Sequence, residues 1–395
     1  MAFSEGKASA RPGWTESAPW MGCSLRALWR ILASNRFRVD AAYWPECLVD
    51  LLFAAGNSGL GAVQGLVSRQ ALAKVQLSDA PLFIIGHWRT GTTLLHELLA
   101  LDPRLRAPTN YECLAPNHFL LTGGWLKHWT SFTLPRTRGP DQMPVTWDSP
   151  QEDEFALCNM GLPSAYARIA FPNEGPRNTD YLELDSLSPQ QQWRWEEGLR
   201  LFFKQLTYAR PGRLLLKSPT HTFRVPTLVR MFPRAKWINI VRNPFAVFSS
   251  TVRLWRSLYE AYGYQKPRFE GLEDEVLETF ARMHARLDAT RGLVAAGALV
   301  DVRYEELVRE PAMIVRQLFQ LLQLGAFGIV QPAIERYLAD RTAYVPNRHS
   351  IDSKWASAIR ERWKPYFARY GYSLEDGSVV GGDLLKNSEL PARAP

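Results

Sequence analysis

The stretch that decides the fold is Pro81-Leu-Phe-Ile-Ile-Gly-His-Trp-Arg-Thr-Gly-Thr-Thr-Leu-Leu-His96. Its apolar run from Leu82 to Ile85 predicts a strand buried on both faces, and Gly86 ends that run. From Gly91 onward, leucines recur at helical spacing. The predicted order is therefore strand, glycine loop and helix. This order directs loop N–H groups and a helix N-terminus at one point, which favours an anion.

The glycine spacing of this loop narrows the choice of ligand. Gly86 and Gly91 have the Walker A spacing, but Thr92 stands where that motif requires lysine. The positive charge of the loop is instead Arg89. A plain nucleoside triphosphatase is therefore disfavoured, although the loop alone would also fit an ordinary strand-to-helix connection.

Composition sets the class of protein and leaves its partner open. The 395 residues include 47 basic and 39 acidic ones, a net charge of +8. This excess suits a polyanionic ligand, an anionic acceptor or a membrane surface, and equally a generic basic surface. The four cysteines are far apart without a C-x-x-C pair, which indicates reduced thiols and no metal site.

The N-terminal part of the chain carries no apolar segment of the secretory kind, so we expect a cytoplasmic protein. Residues 1–22 are predicted to be a flexible leader, and residues 23–78 a helical segment packed on the core. Proline and glycine predict breaks in it at Trp44-Pro45 and around Gly56–Gly61.

Two stretches of this helical segment bear on membranes. Cys47 to Val67 is apolar but interrupted by polar residues and glycines, and we do not expect it to span a bilayer. Residues 24–38 combine arginines with an apolar stripe formed by Leu25, Leu28, Trp29 and Leu32. They are predicted either to dock on their own domain or to make peripheral membrane contact.

The remaining chain predicts an α/β fold. Strand patterns at Arg213 to Leu216, Lys236 to Val241 and Ala298 to Val302 are each followed by a helical pattern. Repeated units of this kind predict a P-loop-like parallel sheet covered by helices on both faces, here with an N-terminal helical extension. We expect this domain to cover residues 79–375 and to be followed by a tail at 376–395. An acceptor-binding insertion, rich in proline and aromatic residues, is expected at about 103–180.

Positive charges follow two of these strands. Lys217 ends the strand after the loop, Arg242 ends the next, and Ser250 follows Arg242 by eight residues. The carboxyl ends of parallel strands meet at one edge of a sheet, where ligands bind. The three features are therefore predicted to lie beside the glycine loop.

Arg89-Thr90-Gly91-Thr92-Thr93 resembles the 5′-phosphosulfate loop of sulfotransferases, and Lys217, Arg242 and Ser250 match that family's order and spacing. The resemblance spans roughly residues 80 to 310, including Val302-Arg-Tyr-Glu-Glu-Leu307. It implies that 3′-phosphoadenosine 5′-phosphosulfate (PAPS) is the donor, 3′,5′-ADP the product, and that no metal is required. It also implies donor binding by Arg89, Thr90, Gly91, Thr92, Thr93, Arg242 and Ser250, with Lys217 catalytic at the bridging or transferring oxygens.

Two residues are candidates for the base that deprotonates the acceptor hydroxyl. Glu112 lies one loop after the phosphate-binding helix, where related enzymes have a catalytic glutamate, and we rank it above His221, four residues after Lys217. Nearer the C-terminus, Lys354 resembles a residue that closes over the 3′-phosphate, and Ser350 does so more weakly.

The acceptor is left open among phenols, sugars and lipids, and no nucleic acid is expected. The acidic run Glu152-Asp153-Glu154 is either a solvated face or part of the acceptor region. Two rival functions remain. One is a degenerate P-loop kinase, for which no strand supplies the metal-holding acidic residue, and the other is a non-catalytic nucleotide- or lipid-binding scaffold.

Overall fold

Five short parallel strands form one sheet in the order β2-β3-β1-β4-β5. The strands are β1 (Leu82–Ile85), β2 (Leu105–Arg106), β3 (Arg213–Lys217), β4 (Lys236–Val241) and β5 (Leu299–Arg303). This computed structural model describes residues 19–130, 146–174, 180–339 and 352–385. Four of the strands were predicted to within about a residue. The strand β2 was missed because two residues are too few to show a periodic pattern.

Helices make up most of the remaining described chain. In the N-terminal half they are α1 (Leu25–Ser34), α2 (Trp44–Lys74), α3 (Thr92–Ala100), α4 (Asn110–Leu114), α5 (Phe119–Thr122), α6 (Leu126–Trp129), α7 (Asp153–Asn159), α8 (Asp180–Glu183) and α9 (Pro189–Ala209). In the C-terminal half they are α10 (Val225–Met231), α11 (Pro244–Tyr262), α12 (Leu272–Thr290), α13 (Tyr304–Arg309), α14 (Pro311–Leu321), α15 (Gln331–Ala339), α16 (Ser353–Arg362) and α17 (Lys364–Tyr370).

The chain divides into two compact units, each built from segments that are distant in sequence. The first comprises Met1–Val75, Thr109–Ala209 and Arg253–Glu270. The second comprises Gln76–Pro108, Arg210–Val252 and Gly271–Pro395, and it contains all five strands.

Apolar side chains cover the sheet of the second unit on both faces. On one face, Leu82 and Ile84 of β1 join a buried cluster that includes Leu95 of α3 and Leu318 of α14. On the other face, Phe83 stacks on Trp237 of β4 at 4.6 Å between ring centroids. Successive residues of a strand point to opposite faces, so a strand covered on both faces has to be apolar throughout. The continuous run Leu82–Ile85 follows from this requirement.

In the first unit, α2 is a single helix of 31 residues. The predicted break around Gly56–Gly61 is therefore wrong. Asn57, within that stretch, donates hydrogen bonds from its side chain to the carbonyls of Met21 and Cys23. Such tertiary bonds hold glycine-containing backbone in a helix that local propensity alone would leave weak.

Helix α1 packs on the rest of its own unit, which is one of the two alternatives predicted for residues 24–38. Ser24 caps its N-terminus by accepting a hydrogen bond from the Ala27 N–H. Leu28 and Leu32 are buried, but Leu25 and Trp29, from the same predicted stripe, are exposed.

By length and composition, Ala41–Lys74 could cross a membrane. Most of this apolar stretch is not buried inside the protein. The polar residues and glycines that argued against a span in the sequence do not interrupt the helix.

Two other regions differ from the sequence interpretation. Leu385, in the expected tail, is buried in the core cluster of the second unit, and Arg303 there donates a hydrogen bond to the Gly382 carbonyl. In the first unit, Asp153 and Glu154 are fully buried, and the Ser164 hydroxyl donates to Glu154. The solvated-face reading of the acidic run is therefore wrong, because these carboxylates form part of the interior.

Candidate active site

The loop between β1 and α3 has a backbone that ordinary residues rarely adopt. Gly86, Arg89 and Gly91 have φ angles of 135°, 69° and 99°. A Cβ atom on Gly91 would lie 2.2 Å from the ring of Tyr304, so only glycine fits there. A left-handed arginine is uncommon and is typical of functional sites. The chain turns sharply enough here to direct the Arg89 side chain and the α3 N-terminus at the same edge of the sheet.

Hydrogen bonds within the second unit fix this loop. The Gly86 N–H donates to the Thr222 hydroxyl at 2.9 Å, and the Thr90 hydroxyl donates to the His87 carbonyl at 2.7 Å. The Nδ1 atom of His87 donates to the Trp88 carbonyl at 3.0 Å. Burial lowers the pKa of His87 to about 4, so its imidazole is neutral at pH 7. Thr90 is one of the residues predicted to bind the sulfuryl donor. In the structure its side-chain hydroxyl makes a hydrogen bond within the loop.

Arg89, Arg242 and Ser250, three of the predicted site residues, lie together. The Nε atom of Arg89 donates to the Ser250 hydroxyl at 2.8 Å, and the Nη1 atom of Arg242 donates to the Arg89 carbonyl at 3.0 Å. Arg242 follows β4 directly, and Ser250 lies on α11, the helix that begins two residues later. A strand end and a helix therefore converge on the loop, as the parallel sheet predicted.

Two tyrosines that the sequence analysis did not single out hold Arg242. Its guanidinium lies 4.2 Å from the ring centroid of Tyr304, a cation–π contact. The Tyr366 hydroxyl accepts from the Arg242 N–H and donates to the Arg242 carbonyl, at 2.9 Å each. Tyr304 directly follows β5, and that position was the signal available for it. Tyr366, 124 residues after Arg242, gave no such signal.

Lys217 and His221 both lie beside β1. Lys217 is the last residue of β3, is buried, and pairs in register with Ile84. His221 is fully buried, with its ring 5.6 Å from that of Phe83 in an edge-on contact. Its neighbour Thr222 is the residue that binds Gly86. The four-residue spacing therefore places Thr222 against the loop and His221 against the sheet.

Glu112 lies in the first unit, in the opening turn of α4. Its carboxylate accepts from the backbone N–H of Thr109 at 2.9 Å and from the Thr109 hydroxyl at 3.0 Å. This is a capping box, which stabilises the start of a helix. Glu112 therefore has a structural contact in addition to the catalytic one predicted for it.

Lys354 is exposed on α16 of the second unit, with Nζ 4.6 Å from the ring centroid of Trp355. Trp355 contacts Phe248 on α11, two residues before Ser250, at 5.7 Å between ring centroids. Ser350 lies outside the described residues.

The charged and hydrogen-bonding groups gathered in the second unit fit a nucleotide that carries several phosphate and sulfate oxygens. Arg89 and Arg242 supply fixed positive charge, Ser250 a hydroxyl, and α3 an N-terminus whose first N–H groups have no partner within the helix. Within the described ranges, no three His, Cys, Asp or Glu side chains are grouped so as to hold a metal ion.

The chain is similar to known proteins both in sequence and in fold. Residues 81–327 match the family model described as "Sulfotransferase family". The chain is 41% identical over 361 residues to omega-hydroxy-beta-dihydromenaquinone-9 sulfotransferase Stf3 of Mycobacterium bovis, and equally to that of Mycobacterium tuberculosis, covering 91% of this chain and 93% of each relative.

Two solved structures share the fold. Sulfotransferase STF9 from Mycobacterium avium has a TM-score of 0.65 at 16% identity, over 91% of this chain and 98% of that one. Sulfotransferase STF1 from Mycobacterium tuberculosis has a TM-score of 0.61 at 18% identity, over 86% and 91% of the two chains. On the family match and the 41% identity, this chain belongs to the sulfotransferase family and is an enzyme of that class.

Proposed function

We propose that this sulfotransferase uses PAPS as its donor and transfers the sulfuryl group to a lipid hydroxyl, namely the terminal hydroxyl of a quinone's polyprenyl tail. The observation that supports PAPS as the donor is the cluster of Arg89, Ser250 and Arg242, which hydrogen bonds connect to one another. The relative that is 41% identical over 91% of the chain is named for an omega-hydroxylated menaquinone derivative, and that name supports the acceptor.

Each donor-binding residue has a specific role in this proposal. Arg89 and the N–H groups of the loop and of α3 bind the 5′-phosphate, while Arg242 and Ser250 bind the 3′-phosphate. Charge-assisted bonds of this kind are about twice as strong as neutral ones. The hydroxyl of Ser250, which accepts from Arg89, can still donate its own proton to a phosphate oxygen. Lys354 adds a further positive charge from α16.

Lys217 is the catalytic cation of the proposal. The donor supplies a sulfuryl group whose departure leaves negative charge on a phosphate oxygen. A buried ammonium at the end of β3 stabilises that charge without having to reorganise, because the strand already holds it in place.

Glu112 is the proposed general base. It takes the proton of the acceptor hydroxyl while the oxygen forms its bond to sulfur. Both hydrogen bonds that its carboxylate accepts from Thr109 are made through Oε2. His221 is the weaker choice, because its ring is enclosed against Phe83 inside the second unit.

A direct assay tests this function. The purified protein is incubated with PAPS and an omega-hydroxylated menaquinone, and the products are analysed by mass spectrometry. We expect a sulfated lipid together with 3′,5′-ADP. Menaquinone without the hydroxyl is the matched negative substrate, and it should yield neither product.

Two variants separate the roles in this assay. Lys217→Ala should reduce turnover at saturating donor, whereas Arg309→Ala, an exposed arginine on α13, should behave as the parent. Release of 3′,5′-ADP with pooled phenols or sugars, but not with the lipid, would contradict the acceptor class and leave the donor assignment intact.

A further inference from the structure

The helix α2 has its polar side turned inward and its apolar side turned outward. Its buried residues include Asp50, Asn57, Gln64 and Ser68. Its outer face, by which we mean Leu48, Leu52, Phe53, Val63, Leu66 and Val67, is between 47% and 80% exposed. A surface helix in water normally shows the reverse arrangement.

Hydrogen bonds fix this orientation within the first unit. The Tyr264 hydroxyl donates to Asp50 at 2.6 Å, Asn57 donates to the Cys23 carbonyl at 3.0 Å, and the Leu120 N–H donates to the Gln64 side chain at 2.8 Å. Rotating α2 to bury its outer face would break these bonds and leave buried polar groups unsatisfied, which is costly. The outer face therefore stays outside in the folded unit.

The outer face is long and free of charge. From residue 51 to residue 68 the sequence contains no Asp, Glu, Lys or Arg. A Cβ atom added to Gly56, Gly59 or Gly65 would find nothing within 4 Å, so that side of the helix has open space. Exposed apolar patches of such extent mark sites of interaction with another apolar phase.

Positive charge borders the outer face. Arg69 and Lys74 lie near the C-terminal end of α2, and Arg26 and Arg30 are exposed on α1 beside the exposed Trp29. Residues 23–75 contain six basic residues (Arg26, Arg30, Arg36, Arg38, Arg69, Lys74) and three acidic ones (Asp40, Glu46, Asp50). An apolar strip bordered by arginine and lysine is complementary to a bilayer surface with anionic headgroups.

We propose that the outer face of α2 inserts into the surface of an anionic lipid bilayer, with the helix lying along the membrane and not crossing it. A crossing helix would have to remove Asp50, Asn57 and Gln64 from their partners in the first unit. An in-plane helix keeps those bonds and exposes only the apolar side to acyl chains. The proposal goes beyond the reaction and does not depend on it, since membrane binding is measured without donor or acceptor.

Flotation with vesicles tests this docking surface. The full-length protein is mixed with vesicles of phosphatidylcholine and phosphatidylglycerol and centrifuged through a density gradient. We expect the parent to float and the triple variant Leu52→Ser, Leu66→Ser, Val67→Ser to bind about 100-fold more weakly, because three large apolar side chains are lost. All three positions are exposed, so the fold should persist.

A matched triple variant controls for loss of apolar surface in general. Leu293→Ser, Ile329→Ser and Val380→Ser change residues of the second unit that are 54% to 69% exposed, and this variant should float like the parent. Equal flotation of both triple variants would overturn the proposal. So would a parent that stays in the soluble fraction but forms a dimer which the α2 variant dissociates, since the occupant would then be a second copy of this chain.

A site-specific probe gives an independent readout. The four native cysteines are buried, so Leu66→Cys can be labelled selectively with a polarity-sensitive fluorophore, with Ile329→Cys as the control position. The emission at position 66 should shift to the blue on adding anionic vesicles, and the emission at position 329 should not. Binding to pure phosphatidylcholine as tight as binding to anionic vesicles would contradict the role given to the basic border.

Discussion

Arg242 connects the end of β4 to the glycine loop of the predicted donor site. It contacts the loop through the Arg89 carbonyl, and Tyr304 and Tyr366 hold it in place. We expect Arg242→Ala to weaken 3′,5′-ADP binding by about 10- to 100-fold, because a hydrogen bond to a charged group contributes about 1.5–3 kcal/mol. Ser250→Ala should cost less. Isothermal titration measures both, and an unchanged affinity for folded Arg242→Ala would refute its assignment to the 3′-phosphate.

The variant Glu112→Gln can separate the structural role of Glu112 in the capping box from its proposed catalytic role. Glu112→Gln keeps an oxygen that can accept from the Thr109 N–H, so the capping box and the helix start should persist. The amide cannot take a proton. Turnover should therefore fall by about 10²- to 10⁴-fold while 3′,5′-ADP binding is retained.

The matched variant for the base is His221→Asn. If His221 only packs beneath β1, single-turnover rates at saturating donor should change little once stability is taken into account. A dead His221 variant beside a fully active Glu112→Gln enzyme would reverse the ranking of the two residues.

The buried carboxyl of Asp50 should make the stability difference between Asp50→Asn and the parent depend on pH. Burial raises the pKa of this carboxyl from 3.8 to about 6, so in the folded state it holds its proton to a higher pH than in the unfolded state. The contribution of Asp50 to the free energy of unfolding is therefore fully present below about pH 4, and it is lost as the pH rises through 6. Asp50→Asn avoids the buried charge and keeps an acceptor for Tyr264.

The advantage of Asp50→Asn over the parent should be near zero at pH 4 and should approach about 3 kcal/mol at pH 8. Urea unfolding of Asp50→Asn and of the parent at the two pH values measures this difference in the free energy of unfolding. An advantage of equal size at both pH values would rule out ionisation of Asp50 as the cause.

At the scale of single elements, replacing a glycine by alanine should have opposite effects on stability in the glycine loop and in α2. Gly91→Ala places a side chain at a φ of 99° against the Tyr304 ring, and it should destabilise the protein by about 2 kcal/mol or more and weaken donor binding. Gly56→Ala lies within a helix with open space around it, and it should stabilise the protein by about 0.5–1 kcal/mol. Thermal unfolding of the pair measures both effects, and a tolerated Gly91→Ala would contradict the close approach.

The elements also differ in how far the sequence predicts them. The strands β1, β3, β4 and β5 are short apolar runs because both faces are buried, and that pattern is local. Helix α2 was predicted in pieces, since local signals at Gly56–Gly61 favour a break, whereas Asn57 and Gln64 hold it through residues distant in sequence.

At the scale of the whole molecule, ligand choice distinguishes the enzyme from its rivals. A ligand present at about 100 times its dissociation constant raises stability by about 2.7 kcal/mol. We expect 3′,5′-ADP to give a clear thermal shift, and ATP with Mg²⁺ to give a much smaller one, since only the first carries the 3′-phosphate assigned to Arg242 and Ser250. A larger shift with ATP and Mg²⁺ would favour the kinase alternative.

The sequence by itself determined the strand–loop–helix order, the strand ends that carry Lys217 and Arg242, and the family. The first two depend on residues adjacent along the chain, whose backbone conformation and periodicity act locally, and the family depends on the order and spacing of short motifs, which the sequence also shows directly. Only the tertiary structure decided that Tyr304 and Tyr366 hold Arg242, that Asp153 and Glu154 are interior, and that α2 turns its polar side inward. These outcomes depend on partners far apart in sequence, and a hydrophobic pattern alone does not say which face of a helix will find hydrogen-bonding partners within the fold.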